Sequence, residues 1–357
     1  MNERVRNILI PYDTRIIDVL KKMDDLDRKL LILEKNGKFF SLVSIGDIQR
    51  AIIKGINLSE PVHKVTRQAV RIASLKDTFE NIKEQMLKYR MEFLPVVENG
   101  KIINVYFWED LFGKEKNVEK EKIDVPVIIM AGGKGTRLRP ITNIIPKPLI
   151  PLGEKTVLEV IIQIFKNYGV KDFYLTLNYK KEMIKYYLKY AKIEGISYVI
   201  EEEPLGTAGS LSLLRNVISQ NCIVTNCDII IKQDYHQLIE YHKKSGSVLT
   251  IVGVLKNERI PYGVIKKDSQ GNVIKIEEKP LRSYIINSGM YVLEKKALEY
   301  IPQGMYFDMT DLINVLIEKG EKVKFFPVSE GSWLDVGDWD KYNEVMKRYE
   351  IIKRFIE

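Results

Sequence analysis

A glycine-rich run carries the residue types that hold phosphate groups. The run Ala131-Gly132-Gly133-Lys134-Gly135-Thr136-Arg137 follows an apolar stretch, Val125 to Met130, and Pro146-Lys147-Pro148-Leu149 comes shortly after it. Glycine has no Cβ, so backbone N–H groups can crowd around an anion. Arg137 and Lys147 add fixed positive charge. Together these residues predict a site that holds a triphosphate and moves a phosphoryl group.

Two common phosphate-binding motifs fit this run poorly. A Walker A loop needs a lysine after its last glycine, whereas Lys134 precedes Gly135. The dinucleotide-binding pattern G-x-G-x-x-G is absent, and no acidic residue follows at the ribose-binding distance. The plain alternative is an ordinary glycine turn between a strand and a helix, which Arg137 and the Pro-Lys-Pro segment make a poor explanation.

The last two-thirds of the chain alternate between strand and helix patterns. The predicted strands are Val125–Ala131, Phe173–Leu177, Tyr198–Ile200 and Ile223–Thr225. The predicted helices are Thr156–Asn167, Lys180–Ala191 and Thr207–Leu214. This alternation predicts a doubly wound α/β sheet that binds ligands at the carboxyl ends of its strands.

A carboxylate follows one of these strands. Asn226-Cys227-Asp228 comes directly after Ile223–Thr225. An aspartate at the end of a buried strand is a natural Mg²⁺ ligand, since this ion takes a few carboxylates together with phosphate oxygens. We interpret Cys227 as a small buried residue rather than a nucleophile.

Composition sets limits on the class of protein. The chain has 357 residues, 45% hydrophobic and 29% charged, with a net charge of +8, and its length predicts two or three domains. Basic and acidic residues are interleaved, so anionic substrates explain the excess charge and no nucleic-acid partner is expected. No apolar stretch approaches the ~20 residues of a membrane span and the N-terminus is no secretory signal, which predicts a cytoplasmic protein without membrane contact. Two cysteines and three histidines argue against a disulfide scaffold or a zinc site.

The first third contains a repeat. Asn36-Gly37 and Asn99-Gly100 are separated by 63 residues, and the same offset places Asp47 on Asp110. An Asn-Gly pair between apolar runs is a strong hairpin signal. Each copy therefore predicts helix, strand, tight turn, strand, and a helix that begins near the aspartate.

The motifs from Val125 to the C-terminus resemble the signature of sugar-1-phosphate nucleotidyltransferases. The glycine-rich run and the Pro-Lys-Pro segment carry the resemblance, together with Glu201–Gly209, Pro261–Val264, Glu277–Pro280, Asn287–Tyr291 and Trp333–Gly337. The resemblance implies a Rossmann-like nucleotidyltransferase domain. It also implies an in-line displacement in which a sugar 1-phosphate attacks the α-phosphorus of a nucleoside triphosphate and pyrophosphate leaves. An ionised phosphate needs no general base, so catalysis becomes positioning and charge neutralisation.

The resemblance assigns roles residue by residue. The catalytic residues are Arg137, Lys147, Asp228 and Lys279. The nucleotide-binding residues are Ala131, Gly132, Gly133, Gly135, Thr136, Glu201, Gly206, Thr207 and Ala208. The sugar-binding residues are Tyr262, Gly263, Glu278, Asn287 and Gly289. Asp228 and Asp335 would hold Mg²⁺.

Some of these residues have plainer interpretations. Gly206 and Gly209 permit close approach of a flat base, whereas Thr207 could simply be the N-cap of the next helix. Glu278 and Lys279 could form a surface ion pair. We interpret Asp338 as a helix cap rather than a metal ligand. The spacing alone does not pair Asp228 with Asp335, because about 107 residues separate them.

The repeat resembles a tandem pair of CBS modules, an α+β sensor of adenosine nucleotides in many proteins. The predicted domains are 1–113 (about 1–60 and 61–113), a charged linker at 114–124, and the nucleotidyltransferase domain at 125–357. Ser44, Asp47 and Asp110 would contact an adenosine or guanosine nucleotide, asymmetrically because the second copy lacks the serine hydroxyl. Alternatively, the two aspartates only favour the helix dipole, and the pair is structural or dimerising. Both modules often self-associate, which predicts a homo-oligomer.

The base and the sugar follow from the combination of modules. A CBS pair ahead of this domain, with Asn226-Cys227-Asp228 in place of the usual Gly-Asp, resembles glucosamine-1-phosphate guanylyltransferases of legionaminic acid biosynthesis. We therefore favour GTP and glucosamine 1-phosphate. A heptose 1-phosphate and UTP, CTP or dTTP stay open. The rival of another class is a non-catalytic regulatory protein that senses nucleotides.

Overall fold

A computed structural model describes residues 3–67, 70–89, 91–112, 122–347, 349 and 353. The described residues form two compact units. The first contains the described residues up to 112 with Lys256–Ser283 and Ser329–Gly331, and the second contains the others. Most of the predicted linker, 114–124, lies outside the described residues. The predicted domain boundaries stay predictions.

The N-terminal part of the first unit alternates short helices and strands. Its elements are α1 (Glu3–Asn7), β1 (Leu9–Pro11), α2 (Ile16–Asp25), β2 (Leu30–Lys35), β3 (Lys38–Ser44), α3 (Ile45–Ile53), α4 (Phe79–Tyr89), β4 (Phe93–Glu98), β5 (Lys101–Phe107) and α5 (Trp108–Phe112). The predicted order of elements is confirmed in both copies. Antiparallel hairpins join β2 to β3 and β4 to β5.

The Asn-Gly turns form as predicted. Asn36 and Gly37 have φ of 53° and 72°, and Asn99 and Gly100 have φ of 50° and 76°. Positive φ at both central residues defines the turn whose twist matches that of the flanking strands, and asparagine and glycine tolerate it best.

The backbone pairing repeats with the same offset of 63 residues. Ile10 lies opposite Leu33 in the parallel pairing of β1 with β2. The parallel bridge between Ala73 and Val96 is the equivalent contact in the second copy. The two copies therefore share this strand pairing as well as their order of elements. The repeat in the sequence corresponds to a repeat in the structure.

The second unit contains a seven-stranded sheet covered by helices. The elements in chain order are β6 (Val127–Met130), β7 (Pro151–Leu152), β8 (Lys155–Thr156), α6 (Val157–Asn167), β9 (Phe173–Leu177), α7 (Lys181–Tyr190), β10 (Ile196–Ile200), α8 (Gly206–Gly209), β11 (Cys222–Asn226), β12 (Ile229–Ile231), α9 (Tyr235–Ser245), β13 (Leu249–Arg259), β14 (Val264–Lys267), β15 (Val273–Glu277), β16 (Leu281–Leu293), α10 (Met309–Glu318), β17 (Val323–Ser329), β18 (Trp333–Asp335) and α11 (Trp339–Lys347). The strands β14 and β15 form an antiparallel hairpin that belongs to the first unit.

The order of strands in the sheet is β10-β9-β6-β11-β16-β13-β17. Neighbours from β10 to β11 are parallel, and β16 runs antiparallel to β11. The predicted Rossmann-like α/β sheet is confirmed. All four residues of β6 are buried, as expected of a central parallel strand that helices cover on both faces.

The helix α6 shows why the sequence folds locally as predicted. The apolar residues Leu158, Ile161 and Phe165 are all at most 2% exposed. Thr156 caps the helix in a reciprocal capping box with Glu159. The apolar stripe therefore faces the core, and the cap fixes the start of the helix.

The helix predicted at Thr207–Leu214 is different in the structure. It begins at Gly206, ends at Gly209 and continues as a 3-10 helix from Ser210 to Leu214. Ser212 Oγ donates a hydrogen bond to the carbonyl of Gly209 at 2.6 Å. Such serine bonds compete with regular helix bonds.

Among the described residues, no helix is long and apolar enough to span a bilayer.

The buried His242 makes the stability of the second unit dependent on pH. His242 is 1% exposed, and its Nδ1 lies 2.8 Å from Thr250 Oγ1. Burial, aided by Lys243, lowers its pKa from 6.5 to about 4. Between these values the unfolded chain binds more protons, so stability falls as the pH falls through this window, by about 3 kcal/mol in all.

We therefore expect His242→Gln to flatten the loss of unfolding free energy between pH 7 and pH 4.5 in urea titrations. His63→Gln, in the first unit, is the control and should leave the pH dependence of the second unit unchanged. An unchanged slope in His242→Gln would contradict the assignment.

Candidate active site

The two predicted metal-binding carboxylates are brought together by a short pair of strands. Ile229 in β12 lies opposite Asp335 in β18, and the pairing is antiparallel. The backbone N–H of Val336 donates to the carbonyl of Asp228 at 2.9 Å. The sheet contact thus places Asp228 beside Asp335, although spacing in the sequence could not predict it.

Gly337 lies where three charged groups meet. A Cβ at this glycine would stand 2.7 Å from Asp335 Oδ1, 3.2 Å from Arg137 Nη2 and 3.3 Å from Asp228 Oδ2. These two carboxylate oxygens are therefore no more than about 6 Å apart. Only a residue without a side chain leaves room for this arrangement.

Lys147 forms an ion pair with Asp228. Its Nζ contacts Asp228 Oδ2, and the two side chains are 14% and 8% exposed. Lys147 begins the 3-10 turn Lys147–Leu149, which follows Pro146. The lysine predicted to be catalytic therefore lies at the carboxylate pair and offsets its charge in a poorly hydrated position.

A second lysine, which the sequence analysis missed, reaches the other carboxylate. Lys341 Nζ contacts Asp335 Oδ2. Asp338 accepts a hydrogen bond from the backbone N–H of Lys341 at 3.0 Å, so its predicted role as a helix cap is confirmed. Burial opposes the charge of Lys341, but Asp335 and Asp338 together outweigh burial and raise the lysine pKa. Its only sequence signal is its position in the first turn of the capped helix.

The glycine-rich loop combines a packed side with an open one. Gly135 has φ of 62°, and Thr142 Oγ1 donates to its carbonyl at 2.9 Å. A Cβ at Gly132 would stand 2.7 Å from Glu201 Oε1, whereas one at Gly133 would meet no atom within 4 Å. The loop therefore packs closely against the Glu201 side chain at Gly132 and leaves open space beside Gly133.

The other loop residues position this segment. The backbone N–H of Ala131 donates to the carbonyl of Thr176 at 3.0 Å. Thr136 begins the 3-10 turn that contains Arg137. Glu201 is 5% exposed, and burial raises its pKa although it accepts a hydrogen bond from Leu205. These contacts anchor the loop to the sheet.

The predicted base-binding segment contacts the chain itself. A Cβ at Gly206 would stand 2.7 Å from the carbonyl oxygen of Phe307. Ala208 N–H donates to that oxygen at 2.9 Å, and Thr207 Oγ1 donates to Asp308 Oδ1 at 3.1 Å. The interpretation of Thr207 as a helix N-cap is wrong, because Leu205 holds that position. The assignment of this segment to the nucleotide stays a prediction.

Two of the predicted sugar-binding residues lie beside the end of β11. Asn287 Nδ2 donates to Tyr291 Oη at 2.8 Å, and Gly289 N–H donates to Asn287 Oδ1 at 3.1 Å. Gly289 has φ of 87° and packs closely against Asn226. Asn226 ends β11, two residues before Asp228.

The other predicted sugar-binding residues belong to the first unit. A Cβ at Gly263 would stand 3.0 Å from Glu278 Oε2, and Tyr262 is 75% exposed. Glu277 makes the ion pairs of the hairpin, and Lys279 has φ of 44°. Roles for these residues in sugar binding stay predictions.

Cys227 is a small buried residue, as predicted. Its side chain is buried and carries no disulfide. Burial, together with the neighbouring Asp228, raises the pKa of the thiol to about 12. The residue is therefore a thiol at neutral pH and not a nucleophile.

The carboxylate pair has the donor set that Mg²⁺ prefers. Across the described ranges, no group of three or more histidine, cysteine, aspartate or glutamate side chains could enclose a metal ion. Two carboxylates with oxygens no more than about 6 Å apart leave the other positions around an ion for phosphate oxygens. Magnesium binds in this way rather than in an all-protein cage.

The first unit contains a separate polar site. Ser44 caps α3 and forms a capping box with Asp47. Arg67 Nε lies 2.6 Å from Asp47 Oδ1. Burial opposes the charge of Asp47, but Arg67 and Ser44 outweigh it and lower the pKa. Asp110, its equivalent, instead accepts a bond from Arg4 at 2.7 Å, so the two copies differ.

A cavity adjoins the Asp47 site. Its volume is about 540 Å³. Four cationic side chains and one carboxylate line it, namely Arg50, Lys54, Lys64, Arg67 and Asp47. The cavity therefore fits an anionic ligand.

Comparison with known proteins matches the region of the chain that contains the candidate active site. A family model described as nucleotidyl transferase matches residues 126–351. This chain belongs to the nucleotidyl transferase family. The solved structure of HddC from Yersinia pseudotuberculosis is 30% identical to this chain, with a TM-score of 0.51, and the match covers 63% of this chain and 99% of HddC. The expected nucleotidyltransferase family, and the Rossmann-like fold of this region, are confirmed.

Curated relatives of the nucleotidyl transferase region carry related names. A mannose-1-phosphate guanyltransferase of Debaryomyces hansenii is 34% identical over 220 residues, 59% of this chain and 60% of that protein. One of Saccharomyces cerevisiae is 35% identical over 221 residues, with the same coverage. A UTP–glucose-1-phosphate uridylyltransferase of Synechocystis is 29% identical over 242 residues, 62% of each chain. The chain thus spans about 60% of the length of the two guanyltransferases it matches.

Proposed function

We propose that this protein transfers a nucleotidyl group from a nucleoside triphosphate to a sugar 1-phosphate. The observation that carries the proposal is the convergence of Arg137, Asp228 and Asp335 around Gly337, with Lys147 on Asp228. The open side of Gly133 gives a phosphate chain access to the same loop. Pyrophosphate release by the full chain tests it, with Asp228→Asn as the control for contaminating activity.

The reaction is a single displacement. An oxygen of the sugar phosphate attacks the α-phosphorus, and the bond from this phosphorus to the oxygen bridging to the β-phosphate breaks. Pyrophosphate leaves with the electron pair. Arg137 offsets charge on the leaving pyrophosphate, and Lys147 offsets charge at the α-phosphate. Fixed charges of this kind act without reorganisation during the reaction.

Asp228 and Asp335 would hold the metal ion. Mg²⁺ bound there supplies a divalent charge that neutralises phosphate oxygens. Glu201 would support the glycine-rich loop by its contact at Gly132. Gly337, which has no side chain, leaves the space between the two carboxylates open. Lys279 would dock the sugar phosphate, and Glu278 the sugar hydroxyls.

We favour GTP as the nucleotide and glucosamine 1-phosphate as the acceptor. The names of the two fungal relatives support a guanylyl transfer. The choice of glucosamine 1-phosphate rests on the combination of the two sequence modules. The alternatives are a heptose 1-phosphate or another sugar phosphate, with UTP, CTP or dTTP. The reaction would take place in the cytoplasm, in a homo-oligomer.

The repeat in the first unit is proposed to act as a CBS-type nucleotide sensor. The basic cavity beside Asp47 supports this role, because its cationic lining fits the phosphate of an adenosine or guanosine nucleotide. Asp110 is held by Arg4 instead, which favours a single site. In the alternative, the chain is a regulatory protein that has this nucleotide sensor but catalyses no nucleotidyl transfer.

We expect AMP or GMP to bind the full chain in calorimetry, and Arg67→Ala and Lys54→Ala to weaken binding about tenfold each, because each removes one cation from the cavity. Lys21→Ala changes an exposed charge of α2 and is the control. Equal affinity in all variants, or no binding to the unmodified chain, would contradict the sensor.

A further inference from the structure

Both carboxylates of the candidate metal site are held by lysines. Lys147 contacts one oxygen of Asp228, and Lys341 contacts Asp335 Oδ2. The other oxygen of Asp335 accepts a hydrogen bond from Gly337 N–H at 2.7 Å. The Asp335 carboxylate is therefore fixed at both oxygens before any substrate arrives.

Asp338 and Trp333 also surround Lys341. Its backbone N–H donates to Asp338 Oδ1 at 3.0 Å, and its Nζ lies 3.5 Å from Asp338 Oδ2. The same Nζ lies 5.7 Å from the centre of the Trp333 ring, within the range of a cation–π contact. The Lys341 side chain is 35% exposed, so it has room to swing its ammonium away from Asp335.

We propose that Lys341 is a positioning residue that holds Asp335 in the metal-free site and competes with the divalent cation for this carboxylate. The inference rests on the proposed metal site. A dication at Asp335 Oδ1, the oxygen that lies near Asp228 Oδ2, would share this carboxylate with the ammonium of Lys341 on Oδ2, and binding to both oxygens would displace the lysine. The positive charge of Lys341 also repels the ion at short range, where little water screens the interaction. Lys341 thereby sets the metal concentration that the site requires.

Removal of the ammonium alone should strengthen metal binding. In Lys341→Met an unbranched apolar side chain remains, whereas the charge is lost. We expect the Kd for Mn²⁺, measured on the full chain without substrates by electron paramagnetic resonance, to fall about tenfold or more. Lys341→Arg restores the charge and should bind Mn²⁺ with nearly the affinity of the unmodified chain.

The control is Lys347→Met, which removes an exposed charge from the same helix and should leave the Kd unchanged. An unchanged or higher Kd in Lys341→Met, with Mn²⁺ bound by the unmodified chain, would overturn the role of Lys341 alone. A failure of the unmodified chain to bind Mn²⁺ would overturn both this inference and the proposed metal site. The two failures are therefore distinguishable.

Discussion

Asp228→Asn lowers kcat about 10²–10³-fold, the largest loss we expect from a single substitution. The change keeps the shape of the side chain and removes its charge. Lys147 then loses the partner of its ion pair, and the metal site loses one of its two carboxylates. Pyrophosphate release at saturating substrate and Mg²⁺ measures the effect.

A matched aspartate separates this effect from a general loss of stability. Asp234 caps α9 by accepting a hydrogen bond from His236 N–H at 3.1 Å. Asparagine is an equally good N-cap, so Asp234→Asn should keep both the fold and kcat. If Asp228→Asn kept more than a tenth of the turnover while folded, Asp228 would have no place in the catalytic site.

Arg137→Ala is expected to lower kcat/KM by about 10²–10³-fold. Arg137 Nη2 lies 3.2 Å from the Cβ position of Gly337, beside both carboxylates. Its guanidinium is therefore placed to meet phosphate oxygens at the metal site. Arg137→Lys should recover part of the loss, since lysine keeps the charge but not the paired donors.

Arg139→Ala is the control for this prediction, because it removes an exposed charge two residues along the same segment. We expect its kcat/KM to stay within about threefold of that of the unmodified chain, given the small effect of screened surface charges. Equal losses in the Arg137 and Arg139 variants would show that the loop acts through its total charge and not through Arg137.

The tight turns and the sheet were predictable from short stretches of sequence. Asn36-Gly37 and Asn99-Gly100 favour positive φ by themselves, so their hairpins need no long-range information. The helix from Val157 to Asn167 was predicted within one residue, because its apolar periodicity and its capping residue agree.

The pairing of the carboxylates could not be read from the sequence. Asp228 and Asp335 meet because β12 pairs with β18, and a contact between strands so distant in the chain leaves no local pattern. Lys341 was missed for the same reason. The contact of Lys341 with Asp335 arises only from the position of α11 in the folded chain.

The error at Thr207 has a physical cause. A threonine before an apolar run favours a helix N-cap, and the sequence contains no sign that α10 lies against this segment. The hydroxyl instead bonds to Asp308, 101 residues away. A tertiary contact therefore replaced the local one.

Predictions for the sugar-binding residues, the nucleotide sensor, the oligomer and the cellular compartment stay predictions.

The most direct test is pyrophosphate release by the full chain with Mg²⁺ and glucosamine 1-phosphate, with GTP, UTP, CTP, ATP and dTTP supplied separately. We expect release with GTP, and we expect Asp228→Asn and Arg137→Ala each to slow it by about 10²–10³-fold. Release with another triphosphate alone would keep the nucleotidyl transfer and overturn the choice of base. The absence of pyrophosphate release with every triphosphate, tested with glucosamine, mannose, glucose and heptose 1-phosphates, would contradict catalysis by this site.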